Sequence, residues 1–66
     1  MKVNKLKGKI VENEMSYPQF AAAIGMTYDT LLRRFKAPEK ITCVEAEKMR
    51  IALNLKDDEA IEIFLT

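Results

Sequence analysis

Apolar residues recur along this chain with a helical period and not with the alternation of a strand. Val3, Leu6 and Ile10 stand at i, i+3 and i+7, and Val11 widens the stripe, which predicts an amphipathic helix over residues 4 to 13. Lys5, Lys7 and Lys9 coat its other faces. Gly8 costs that helix about 1 kcal/mol relative to Ala, a cost that the close approach of another helix would explain. Asn13 and Glu14 then let the chain leave the helix. Ser16 followed three residues later by Gln19 is a capping-box pattern: the Ser oxygen accepts from a free backbone N–H and the Gln side chain accepts from the cap's own N–H. Pro18 fits only a first turn, where no hydrogen bond is lost. A second helix is therefore expected near residues 17 to 24. Phe20, Ala21 and Ile24 form its buried face, and Gly25 ends it where a left-handed backbone is cheap.

Thr27 can cap a third helix in which Tyr28, Leu31, Leu32 and Phe35 fall at i, i+3, i+4 and i+7 and form the core side. Asp29, Thr30, Arg33, Arg34 and Lys36 are left to point outward. Ala37-Pro38 breaks the helix, since the ring removes a donor and restricts the residue before it. Thr42 and Glu45 repeat the capping-box spacing, and Val44, Ala46, Met49, Ala52 and Leu53 supply the apolar face of a fourth helix to about residue 53. Asn54 is a suitable left-handed stop. Asp57, Asp58 and Glu59 then place negative charge at the positive end of a short fifth helix carrying Ala60, Ile61, Ile63, Phe64 and Leu65. There is no repeat, linker or low-complexity stretch. The expected fold is all-α, a compact bundle of five short helices forming a single domain over residues 1–66.

Composition agrees with a small globular unit. The chain has 66 residues, 48% hydrophobic and 32% charged, enough for one core and too apolar for a disordered tail. No apolar run approaches the roughly 20 residues of a membrane span. The N-terminus leads into a mixed charged segment, unlike a signal sequence, so the cytoplasm is the expected location. Cys43 is the only cysteine and histidine is absent, which rules out an intrachain disulfide and leaves no ligand set for a zinc site of the usual kind. The commonest general base is missing too, and a lone thiol has no histidine to activate it, so no enzymatic activity is expected. Cys43 reads as a small half-buried residue near a helix start, with a redox switch as the alternative.

Net charge is only +1, below the basic balance of a strong nucleic-acid binder. Its distribution changes that picture. Residues 1 to 40 hold eight basic against four acidic side chains, a net +4, whereas the remainder holds three against six, a net −3. Such asymmetry suits a molecule whose one side meets phosphates and whose other side meets solvent or a second subunit.

The informative segment is residues 16 to 35, two short helices joined by a tight glycine turn. Helices crossing steeply need a small residue where they touch, for which Ala21 is available, and a turn with positive φ, which Gly25 supplies. Ile24, Met26 and Leu31 can close the wedge. This stretch resembles the Cro/phage-repressor (XRE-type) helix-turn-helix, and the flanking helices resemble the five-helix, lambda-repressor-like fold over nearly the whole chain. The opening Asn4-Lys5-Leu6-Lys7-Gly8-Lys9-Ile10-Val11-Glu12 and the closing Glu59-Ala60-Ile61-Glu62-Ile63-Phe64 are similar to small prophage regulators of Gram-positive bacteria.

That resemblance implies a sequence-specific transcriptional regulator, repressor-like, whose third helix lies in the major groove of a double-stranded DNA operator while the start of the second helix meets the backbone. Carried onto this sequence, the base-facing positions are Thr27, Tyr28, Asp29, Leu32 and Arg33, with Gln19 and Thr30 beside them. Arg33 can bond guanine at two acceptors; its alternative role is an i, i+4 pair with Asp29. Tyr17 stands where many family members carry glutamine, and it can donate to a phosphate with help from the N–H groups of the helix start. Leu32 replaces the usual small polar residue and is either a core residue or a contact to a thymine methyl. Arg34, Lys36 and Lys40, at the helix end and the following loop, are expected at the backbone, with a solvated surface charge as the alternative for each. No cofactor or small-molecule ligand is implied.

The family also implies a homodimer reading two half-sites. The apolar tail Ile61, Ile63, Phe64 and Leu65 is the expected contact, with plain core packing as its alternative. The modest charge and the acidic C-terminal third keep a second reading open, in which the same shape serves as a protein-interaction module for another phage or host regulator.

Overall fold

A computed structural model describes residues 1–65. Five α-helices follow one another: α1 (Val3–Glu12), α2 (Tyr17–Ala23), α3 (Tyr28–Lys36), α4 (Cys43–Ala52) and α5 (Asp57–Phe64), with a 3-10 turn over Pro38–Lys40 between α3 and α4. No strand occurs among the described residues. The expected helices are all present, with ends displaced by a residue or so. The break at Ala37-Pro38 is itself ordered: Lys40 N–H donates to Ala37 C=O at 2.9 Å and Ile41 N–H to Pro38 C=O at 3.0 Å. Proline supplies the φ of such a turn and has no N–H to lose.

Three of the four junctions are built alike. After α1, α2 and α4 a residue takes left-handed φ, namely Glu14 at 58°, Gly25 at 72° and Asn54 at 51°. Each time the following apolar residue turns its N–H back onto the last turn of the helix: Met15 to Ile10 C=O (3.2 Å), Met26 to Ala21 C=O (2.9 Å) and Leu55 to Arg50 C=O (3.0 Å). The left-handed residue bonds inside that loop, Gly25 N–H to Ala22 C=O at 3.2 Å for example. This is the Schellman arrangement, which satisfies carbonyls that a helix end would leave open. In all three cases the residue after the apolar one is the N-cap of the following helix; Ser16 and Thr27 cap with their side chains, whereas Lys56 makes no side-chain cap and its N–H donates to Glu59 Oε1 at 3.0 Å. Glycine is the natural occupant of such a position, asparagine a tolerated one, and Glu14 an uncommon one. Its left-handed backbone is not foreshadowed by residue type.

Every helix contributes to one core. Leu6 and Ile10 come from α1, Phe20, Ala21 and Ile24 from α2 and its turn, Leu31 and Phe35 from α3, Met49, Leu53 and Leu55 from α4 and its turn, and Ile63 from α5. Burying each of the larger side chains stabilises the fold by about 1.5–3 kcal/mol. Some of the expected stripe lies elsewhere. Val11 and Val44 are exposed, because Ile10 on α1 and Met49 with Leu53 on α4 already set the inward direction and the valines fall well around the helix from it. Leu32 sits at the edge of the core, half-buried. Gly8 is exposed with nothing within 4 Å of where its Cβ would be, so no helix approaches it closely.

The acidic end of the chain does not face away from the basic start. α5 lies along α1, where Lys9 Nζ meets Glu59 Oε2 at 2.6 Å and Lys5 pairs with Glu62. Lys2 N–H donates to Ile63 C=O at 2.8 Å. The asymmetry of charge between the two parts of the sequence is therefore partly cancelled within the molecule. Hydrogen bonds from Lys9 and from the Lys56 N–H hold the Glu59 carboxyl below its ordinary range, since both favour its charged form.

Candidate functional site

The second and third helices pack on each other through the Gly25 turn, and their N-terminal ends are fixed by side chains. At α2, Ser16 Oγ accepts from Gln19 N–H (3.2 Å) and Gln19 Oε1 accepts from Ser16 N–H (2.8 Å). The Gln19 amide oxygen is thus used inside the protein, and its NH2 group keeps two donors for an outside acceptor. At α3, Thr27 Oγ1 accepts from Thr30 N–H at 3.2 Å and the two hydroxyls lie 2.9 Å apart. Thr27 and Thr30 hold the helix start in place, which leaves less of their bonding capacity for a partner.

Asp29, Arg33 and Lys36 fall at i, i+4 and i+7 and form the outward face of α3, all exposed. Leu32 borders that face, and Tyr28, at the first helical position, is 43% exposed and not part of the core. No ion pair joins Asp29 to Arg33, and none engages Lys36 or Lys40, among the described residues. The alternative role for Arg33, a pair with Asp29, is not realised. Its guanidinium keeps all five donors.

Arg34 behaves differently. Its Nε and Nη2 donate to the two carboxylate oxygens of Glu45 at 3.0 and 3.1 Å, and Glu45 Oε1 also accepts from Thr42 N–H at 3.0 Å. The forked guanidinium matches a carboxylate in this manner. Glu45 is held below the ordinary carboxylate range, first by the Arg34 hydrogen bonds and then by the Thr42 N–H. Arg34 therefore ties α3 to the capped start of α4 and is not an unpaired surface cation. The expectation that it faces outward is corrected by a partner 11 residues away that no local spacing announces.

Tyr17, the first residue of α2, is half-buried with its ring edge-on to Phe35, centroids 5.3 Å apart at 70°. Its hydroxyl makes no hydrogen bond with the described residues. The same Phe35 ring carries Lys7 Nζ at 5.2 Å from its centroid. Helical spacing assigned Lys7 only to a coated outer face of α1; the aromatic partner lies on another helix, so sequence held no signal for the contact.

The C-terminal residues divide. Ile63 is 2% exposed and belongs to the core, so it cannot take part in a surface contact as expected, whereas Ile61 (52%) and Leu65 (76%) face outward. With half-buried Phe64 and with Cys43, Ala46 and Ala60 they line an open apolar groove between α4 and α5. Cys43 is exposed, more so than expected.

Among the described residues no group of three or more His, Cys, Asp or Glu side chains is placed to hold a metal. No helix there is long and apolar enough to cross a membrane. Comparison with protein-family models, with curated proteins and with solved structures finds no match.

Proposed function

We propose that this chain is a non-enzymatic, sequence-specific DNA-binding regulator that uses α2 and α3 as a helix-turn-helix and places α3 in the major groove. The observation that carries this reading is the outward face of α3. Arg33 and Lys36 stand there unpaired, while Arg34 on the same helix is committed inside the protein. A free guanidinium on an exposed helix face, one turn from a capped helix start, has the geometry for bidentate bonding to guanine O6 and N7. Gln19, through its NH2 group, and Tyr17, through its hydroxyl, offer donors to a phosphate at the start of α2, and Lys36 and Lys40 add charge at the far end of α3. Asp29 can accept from a cytosine amino group. Thr27, Thr30 and Tyr28 shape the edge that approaches the bases. A second copy bound through the α4–α5 groove at Ile61, Phe64 and Leu65 would present two such helices to two half-sites.

The test is a gel shift or anisotropy titration against the DNA upstream of the protein's own gene. The expected result is a complex that weakens with salt, and a loss of about 1–3 kcal/mol of preference for the specific site in Arg33→Ala. No salt-sensitive complex, or an Arg33→Ala protein that discriminates as the parent does, defeats the proposal. The exposed groove and the Asp29 carboxylate favour one other reading, a module that docks on a protein. Recovery of a protein partner without nucleic acid, insensitive to neutralising Arg33 and Lys36, would establish it.

A further inference from the structure

We propose that Lys7, on α1 and outside the two helices that read the DNA, is a contact to the phosphate backbone whose ammonium is held in place by the ring of Phe35. This rests on the DNA reading above. Three lysines alternate along α1, and the structure treats them differently. Lys5 and Lys9 are answered by Glu62 and Glu59 of α5, so their charge is cancelled within the molecule. Lys7 meets no carboxylate; it meets an aromatic face.

The difference matters physically. A carboxylate partner would occupy the N–H donors and cancel the charge. A ring attracts the cation through its quadrupole and leaves all three donors free for an anion. Lys7 is half-buried, so part of the rotamer freedom that a surface lysine loses on binding is already lost. Phe35 gathers three elements at one place. It belongs to the last turn of α3, it receives the Lys7 ammonium from α1, and Tyr17 at the start of α2 sets its ring edge against it. Lys36, exposed and unpaired, is the next residue along α3. A cation held beside the end of a groove-binding helix and beside the first residue of its companion helix is where a phosphate strand bordering the groove would pass. The repeating charge of a phosphodiester chain suits this arrangement better than an isolated acidic side chain, because Lys7, Lys36 and Lys40 are separate unpaired cations with no acidic partner.

The experiment measures the affinity of the full chain for a labelled duplex of the upstream DNA as a function of salt. The parent is compared with Lys7→Met, which keeps the stem over Phe35 and removes the charge, with Lys7→Arg, and with Lys5→Met as a control. Each phosphate contact contributes about 0.9 to the slope of log affinity against log salt on duplex DNA. Lys7→Met is expected to lower the slope by about that amount, Lys7→Arg to retain it, and Lys5→Met to leave it near the parent value, with thermal melts confirming that each protein is folded. A parent that binds with a salt slope that Lys7→Met does not change overturns this contact and leaves the DNA reading standing. A parent that forms no salt-dependent complex overturns both. Should Lys7→Met fail to fold, Lys7→Gln with the same comparison decides the matter.

Discussion

The two glycines of this chain have opposite roles, and replacing each by alanine should move stability in opposite directions. Neither position is crowded: an added Cβ meets nothing within 4 Å at Gly8 or at Gly25. Sterics against the rest of the fold therefore drop out, and the backbone angle alone decides. Gly8 lies inside α1 with ordinary helical geometry, where alanine is favoured by about 0.8–1.0 kcal/mol. Gly25 sits at φ 72°, where a Cβ crowds the following carbonyl at a cost of about 1–2 kcal/mol. Stiffening of the unfolded chain offsets about 0.4–1 kcal/mol of that, for a net loss of about 1 kcal/mol. In a domain of this size about 1 kcal/mol corresponds to a Tm change of about 4–8 °C, readily seen by circular dichroism at the helical wavelength. Gly8→Ala should melt higher than the parent and Gly25→Ala lower, and the double variant should return close to the parent, since the sites share no contacts. Shifts of the same sign would refute the reasoning: two rises would mean that the turn does not require a left-handed residue, and two falls that Gly8 does not sit in an open, ordinary helix position. Glu14, at φ 58°, supplies a check from the other side: Glu14→Gly should raise the Tm or leave it unchanged, and a clear fall would contradict the geometry of that junction.

Glu45 predicts a response to acid. Its folded-state value lies below the ordinary 4.5, chiefly through Arg34, so its stabilising contribution is complete above about 4.5 and is lost as pH falls from there through the lower folded value. Denaturant midpoints measured across that window should fall less steeply with pH in Glu45→Gln than in the parent; identical slopes would show that the Arg34 clamp does not form in solution. Ile61→Asp and Leu65→Asp alter exposed side chains and should leave the melting temperature of the monomer nearly unchanged while shifting sedimentation equilibrium from dimer to monomer. A parent that sediments as a monomer at every concentration would remove the dimer from the proposal.

Much of the architecture was legible because it is local. Helix starts at Ser16, Thr27 and Thr42 follow from side chains that bond within three residues, and the stop at Gly25 follows from a backbone preference of a single residue type. α3 has the bounds that its cap and its apolar spacing predict. The stripes were less reliable where two apolar residues compete for the inward direction. Val11 beside Ile10, and Val44 ahead of Met49, lose that competition for reasons visible only once the neighbouring helices are in place.

The candidate site divides along the same line. Sequence by itself determined the five helices, the capped starts, the glycine turn and the outward placement of Asp29, Arg33 and Lys36 on α3, since each depends on contacts within one helical turn. Tertiary structure decided which charges remain open. It closed Arg34 onto Glu45, cancelled Lys5 and Lys9 against α5, left Arg33 without the Asp29 pair that spacing allowed, and set Lys7 on Phe35. It also sent Ile63 inward and Ile61 outward. The physical reason is that a charge is satisfied or left free by whatever lies within about 4 Å of it. For Arg34–Glu45, Lys5–Glu62 and Lys9–Glu59 the partner comes from another helix, which local spacing cannot supply.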